Sequence, residues 1–191
     1  MNLANKITLM RVILVPVFIV LIMASRIPGL AGLIENGTLS QGVLNWCALG
    51  VFILASVTDF LDGFIARKYN MVSNFGKFMD PLADKLLVCS ALICLLALGR
   101  MNVFLVLVII ARDFIISGFR LVASDKGVVI AANMWGKVKT TMQMIMIGFM
   151  IPDWDAVHII CVILSWVVLF LTVYSLMDCL IRNRQVLKDE K

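Results

Sequence analysis

Residues 59–84 read DFLDGFIARKYNMVSNFGKFMDPLAD, which puts Asp59, Asp62, Asp80 and Asp84 in one 26-residue window with Gly63, Ala66, Arg67 and Gly76 between them. Apolar runs at roughly 43 to 65 and 81 to 99 enclose this window, and the aspartates continue into both. A carboxylate at membrane depth costs about 2.5 kcal/mol or more even on the most lenient insertion scale. Four together need bound cations, a wet cavity, or both. A solvated loop would account for Lys68 and Asn70 but not for acids inside apolar runs, so the window reads as an active site.

Composition gives the setting: 62% of residues are hydrophobic, 15% are charged and the mean hydropathy is +1.01. This predicts an all-α integral membrane protein. A chain of 191 residues has room for a bundle of about six transmembrane helices of ~20 residues and no separate soluble domain, so residues 1–191 are expected to form a single membrane domain. Besides the two runs around the window, apolar stretches lie at roughly 8 to 25, 101 to 123, 134 to 151 and 156 to 181. The acidic window is expected to break the second and third runs. Pro28 and Gly29 follow the first run, Gly99 and Arg100 mark a tight turn, and Pro152 separates the last two, with Asp153 or Asp155 available to cap the final helix. The first run is long and lacks a small-residue cleavage site before Arg26, so it reads as a retained span.

Basic residues set the orientation. With the N-terminus inside, only Arg26 and Arg100 of the seventeen lie toward the outer side. Both termini are therefore expected in the cytoplasm, in a multi-pass cell-membrane protein whose acidic site faces the cytosol. The net charge of +5 favours anionic headgroups among the membrane lipids. Nucleic acid is not an expected partner, because the basic residues flank spans rather than forming a soluble basic module. The five cysteines lie in or beside apolar runs without zinc-type spacing and read as free buried thiols, and His158, near a helix start, is assigned no role.

Asp59 and Asp62 are three apart and Asp80 and Asp84 four apart, so each pair shares a face if its segment is helical. Left unscreened, the carboxylates would raise one another's pKa values by like-charge repulsion. Hard divalent cations remove that conflict, and all-oxygen ligands favour magnesium, manganese or calcium over zinc. Magnesium held by carboxylates usually completes its shell with substrate phosphates, which points to a phosphorylated substrate. Gly63 and Gly76 remove bulk where phosphates would approach the backbone, and Arg67 can pair with a phosphate or with Asp59 or Asp62.

The array Asp59-x-x-Asp62-Gly63-x-x-Ala66-Arg67, eight residues, Gly76-x-x-x-Asp80-x-x-x-Asp84 fills all eight defining positions of a known signature and resembles that of the CDP-alcohol phosphatidyltransferases. The resemblance implies two divalent ions, magnesium or manganese, on Asp59, Asp62, Asp80 and Asp84, with Asp84 as the general base. It implies a nucleotide site at Asp59, Asp62, Gly63, Ala66, Arg67, Gly76 and Asp80. It also implies CDP-diacylglycerol as donor, CMP as leaving product and a homodimer.

The acceptor has to be read from other residues. Arg112, Asp113 and Arg120 punctuate the fourth span, and Gly136-Lys137-Val138-Lys139-Thr140-Thr141 opens the fifth. Positive-inside anchoring accounts for Arg120, Lys126 and Lys139, but less well for Arg112, which lies further into an apolar run. A phosphate on the acceptor would call for cations there. The stretches from Ala111 to Arg120 and from Gly136 to Gln143, and the opening Asn2 to Arg11, are similar to bacterial members of the family that use glycerol 3-phosphate, although Ala4 stands where that group commonly has proline. This implies acceptor-phosphate binding by Arg112, Arg120, Lys137, Lys139 and Thr8, and transfer to glycerol 3-phosphate in anionic phospholipid synthesis. Inositol phosphate, serine or phosphatidylglycerol are the alternative acceptors.

An intramembrane prenyltransferase also uses aspartate-bound magnesium, but with two acidic motifs far apart. A cation transporter leaves Arg67 and the two glycines at their fixed offsets unexplained. Transfer is expected to require added magnesium or manganese and to be abolished by Asp59→Ala, Asp62→Ala or Asp80→Ala. Full CMP release in chelator by metal-free protein would refute the metal assignment.

Overall fold

The computed structural model describes the backbone of residues 3–69, 74–125 and 134–182, and side chains within 10–58, 85–123 and 134–182. Among the described residues every regular element is helical: α1 (Leu3–Ile22), α2 (Pro28–Glu35), α3 (Gln41–Tyr69), α4 (Asn74–Ala97), α5 (Val103–Asp125), α6 (Met134–Met150) and α7 (His158–Arg182), with single 3₁₀ turns at Ala24–Arg26 and Asp155–Val157. Each of the six apolar runs coincides closely with one long helix. One expectation needs correction. The acidic window does not interrupt the helices of the second and third runs, because α3 continues through Arg67 to Tyr69 and α4 is already helical at Asn74. After the first run, Pro28 starts the short α2 with its ring at the position where a missing N–H does no harm.

Polar atoms left at helix ends explain the connections. At the end of α4, Gly99 has φ +75°, and the amides of Gly99 and Arg100 return to the carbonyls of Leu96 and Leu95. This left-handed closure suits glycine because a Cβ would be strained there. Arg100 then reaches the α6–α7 connection, donating from Nη1 to the Ile151 carbonyl at 2.7 Å and pairing through Nη2 with Asp153 at 3.0 Å. Asp153, at φ +58°, is thus tied to Arg100, and Asp155 sits in the 3₁₀ turn ahead of α7. Burial lowers the Arg100 pKa while Asp153 opposes the shift, and an arginine so placed stays charged. Gln41, the first residue of α3, accepts from the Ser25 amide at 3.1 Å and donates to Ile22 O and Asn45 Oδ1, joining the α1 exit to the α3 entry.

The chain forms two compact units, residues 1–100 with 147–154, and residues 101–146 with 155–191. In the first, α1 packs on α3 and α4, and α3 on α4. The buried stripe of α1 is Arg11, Val15, Phe18 and Ile22, and that of α3 is Asn45, Ala48, Phe52 and Ala55, both at the alternating spacing of three and four that marks one helix face. The Phe18 and Phe52 rings meet at 5.9 Å, with small Ala48 and Ala55 beside them. In the second unit α5 packs on α7. Arg112 meets Ser175, while Ile116 and Phe119 cluster with Cys179. Contacts that advance together along both helices mean that α5 and α7 run parallel.

Outward faces are apolar and inward stripes carry the polar groups. Ile53, Leu54, Phe104, Leu121, Trp166 and Phe170 are exposed, whereas Arg11, Asn45, Arg112, Lys139, Gln143, Thr172 and Ser175 are buried. Water would favour the reverse. Among the described residues Gln41–Thr58 and Asp155–Arg182 are long and apolar enough to cross a membrane, with shorter apolar helical stretches at Met10–Ile22 and Lys85–Ala97. The cysteines are free, with Cys47 exposed on the apolar outer face rather than buried as expected. Replacing Phe18, fully buried against Phe52, by alanine is expected to destabilise by about 3–5 kcal/mol, read as a lower unfolding midpoint in detergent. Phe104→Ala, at a side chain 66% exposed, should leave the midpoint nearly unchanged.

Candidate active site

Helical backbone runs through both halves of the acidic window. Positions 59, 62, 63, 66 and 67 lie on the last turns of α3, and positions 76, 80 and 84 on the first turns of α4. Helical spacing puts positions 59, 62 and 66 on one face of α3 and positions 76, 80 and 84 on one face of α4, and the two helices pack against each other. The side chains of Asp59, Asp62, Gly63, Ala66, Arg67, Gly76, Asp80 and Asp84, and that of Thr8, lie outside the described residues.

The second unit holds a buried cluster of charge. Arg112 projects from α5 and Lys139 from α6, and their side chains are 10% and 1% exposed. Both contact one carboxylate oxygen: Arg112 Nη1 donates to Asp113 Oδ1 at 2.9 Å, and Lys139 Nζ to the same atom at 2.7 Å. Arg112 also donates from Nε to Ser175 Oγ on α7 at 3.1 Å, so three helices meet at one guanidinium. The cations outnumber the anion in this trio by one charge.

The candidate acceptor cations do not all gather here. Lys137 lies two residues before Lys139, on nearly the opposite side of α6, and is exposed, as is Arg120, two turns beyond Arg112 on α5. Gly136 borders the cluster, since a Cβ there would come within 3.2 Å of Arg112 Nη2. Gln143, one turn past Lys139, is buried with no partner for Oε1.

Sequence reading saw Asp113 only as a neighbour of Arg112 and gave Ser175 no role. Asp113 had a signal, because an acid next to a basic residue within an apolar run needs a partner. Ser175 had none, since a serine in an apolar helix satisfies its hydroxyl on its own backbone as often as on anything else.

Comparison with known proteins places these residues in context. A family model described as CDP-alcohol phosphatidyltransferase matches residues 1–174. A Bacillus subtilis protein named CDP-diacylglycerol--glycerol-3-phosphate 3-phosphatidyltransferase is 42% identical, over 98% of this chain and 97% of its own length. A Rickettsia felis protein of the same name is 37% identical over 91% of both chains. A Mycobacterium tuberculosis protein named probable phosphatidylglycerophosphate synthase is 37% identical over 95% of this chain and 81% of its own.

Removing the shared anion should leave the buried Arg112 without its carboxylate and take one partner from Lys139. Asp113→Ala is expected to destabilise by about 3 kcal/mol, the lower end of the range for breaking a buried pair because Asp113 is partly exposed. Asp113→Asn, which keeps an oxygen acceptor, should lose less. Denaturation in detergent measures both, and an unchanged midpoint for Asp113→Ala would contradict a structural role for the trio.

Proposed function

Because the chain belongs to the CDP-alcohol phosphatidyltransferase family, we propose that it transfers the phosphatidyl group of CDP-diacylglycerol to sn-glycerol 3-phosphate, giving phosphatidylglycerophosphate and CMP. The observation that carries this reading is the end-to-end likeness to the Bacillus subtilis enzyme named for that reaction. The filled signature from Asp59 to Asp84 supports it. The chain is an enzyme of anionic phospholipid synthesis, with CDP-diacylglycerol and glycerol 3-phosphate as its substrates.

The donor set fits hard divalent cations, being four carboxylates spaced for one face on each of two helices that pack together. Asp59, Asp62, Asp80 and Asp84 would hold two ions, magnesium or manganese. When bound, they supply Lewis-acid polarisation of the phosphorus and offset charge on the departing CMP. Gly63, Ala66, Arg67 and Gly76 make room for and contact the nucleotide. Asp84 takes the proton of the acceptor hydroxyl as its oxygen bonds to the lipid-side phosphorus and the bond to CMP breaks. The acceptor carries its own phosphate, and Arg112, whose Nη2 is held by neither Asp113 nor Ser175, is suited to hold it, with Lys139 beside it on Asp113. Lys137 and Arg120 are exposed away from this cluster, and a share for them or for Thr8 in acceptor binding rests on the sequence resemblance alone.

Family members are membrane-associated, and the apolar outer faces of the helices agree with lipid as the surrounding medium. Our reading is a single-domain, multi-pass cell-membrane protein with both termini and the reaction on the cytoplasmic side, acting as a homodimer. The asymmetry of basic residues supports the orientation.

A panel of acceptors offered to purified protein with CDP-diacylglycerol tests the assignment. Glycerol 3-phosphate should turn over fastest. Arg112→Ala and Lys139→Ala should raise the glycerol 3-phosphate requirement roughly ten- to a hundredfold, the range for a lost charge-assisted contact, while changing the CDP-diacylglycerol requirement far less. Faster turnover of serine or inositol phosphate would reject the acceptor and leave the aspartate chemistry standing.

A further inference from the structure

Each nitrogen of the Arg112 guanidinium meets a different constraint. Nη1 is held by Asp113 at 2.9 Å, Nε by Ser175 Oγ at 3.1 Å, and Nη2 lies against Gly136, where a Cβ would stand only 3.2 Å away. A guanidinium is planar, so two anchored nitrogens fix the direction of the third. The Ser175 hydroxyl has one hydrogen, which it donates to the Thr172 carbonyl at 3.1 Å. Its lone pairs are therefore the part available to Arg112 Nε. Ser175 is 1% exposed, so water does not substitute for Arg112.

From this geometry we infer that Ser175 and Gly136 are positioning residues for Arg112: Ser175 on α7 sets the plane of the guanidinium, and the absent side chain of Gly136 on α6 leaves Nη2 free to face the acceptor phosphate. The inference rests on the reading that Arg112 binds that phosphate. It gives the last helix, which carries no part of the aspartate signature, a share in acceptor recognition.

The two positions separate function from folding because they act on stability in opposite directions. Ser175→Ala removes a buried hydrogen bond and should lower the unfolding midpoint modestly. Gly136→Ala replaces glycine with a better helix former and should hold or raise it. Both should weaken acceptor use in the same direction. The crowding in Gly136→Ala pushes Nη2 aside by a few tenths of an ångström, because the anchored guanidinium cannot swing away freely.

The test is steady-state kinetics of the full chain in mixed micelles, varying glycerol 3-phosphate and CDP-diacylglycerol separately, with unfolding midpoints measured on the same preparations. Ser175→Ala and Gly136→Ala are each expected to raise the apparent KM for glycerol 3-phosphate roughly tenfold, with the KM for CDP-diacylglycerol unchanged. Ser175→Thr, which keeps the hydroxyl, should restore most of the loss. If Arg112→Ala raises the acceptor KM while Ser175→Ala and Gly136→Ala do not, positioning is refuted and the acceptor site stands. An acceptor KM unmoved by Arg112→Ala itself overturns both. Equal losses toward both substrates that track the unfolding midpoint would show a merely structural role and also overturn the inference.

Discussion

A charge on a helix whose outer face is leucine, isoleucine, valine and phenylalanine has to be satisfied on the inward side, by a group on its own helix or on a neighbour. That constraint organises what is described of this chain. Arg11, Asn45, Arg112, Lys139, Gln143, Thr172 and Ser175 all occupy the narrow stripes that face other helices. Apolar attraction alone would pack such helices weakly in lipid, where tails are as apolar as side chains. Small residues and hydrogen bonds do more of that work. Ala48 and Ala55 beside the Phe18–Phe52 contact, and Ser175 against Arg112, are the local forms of this rule.

In the second unit the same constraint couples stability to chemistry. A lone Arg112 at 8% exposure would be strongly unfavourable, and Asp113 makes it tolerable. Lys139 shares the same oxygen, so a single carboxylate atom ties α5 to α6. Parallel α5 and α7, with α6 crossing between them in sequence, bring groups from positions 112, 139 and 175 together although no local motif joins them.

Much of the fold was legible because a long apolar run satisfies its own backbone within one helix, and each of the six runs coincides with a described helix. The breaks were less legible. Aspartates in an apolar run look like interruptions by composition, yet α3 and α4 remain helical through positions 59–69 and 74–84, since a carboxylate changes the side chain's cost without removing a backbone hydrogen bond. Arg100 looked like a turn residue and is one, but its pairing with Asp153 joins segments fifty residues apart that no local pattern links.

For the reaction centre, the sequence alone determined the residue types and spacing that name the chemistry, because eight positions over 26 residues on two successive helices make a local pattern. The acceptor cations were visible only as candidates. Lys137 and Lys139 are equivalent in composition, and only the packed structure shows Lys139 buried on Asp113 and Lys137 exposed, since two residues on a helix differ by about 200° in direction. Ser175 carried no signal, and Gly136 stood out only as the first residue of the Gly136–Gln143 stretch. Their relation to Arg112 exists only where three helices meet, and which of many serines and glycines stands at such a meeting point is decided by tertiary packing.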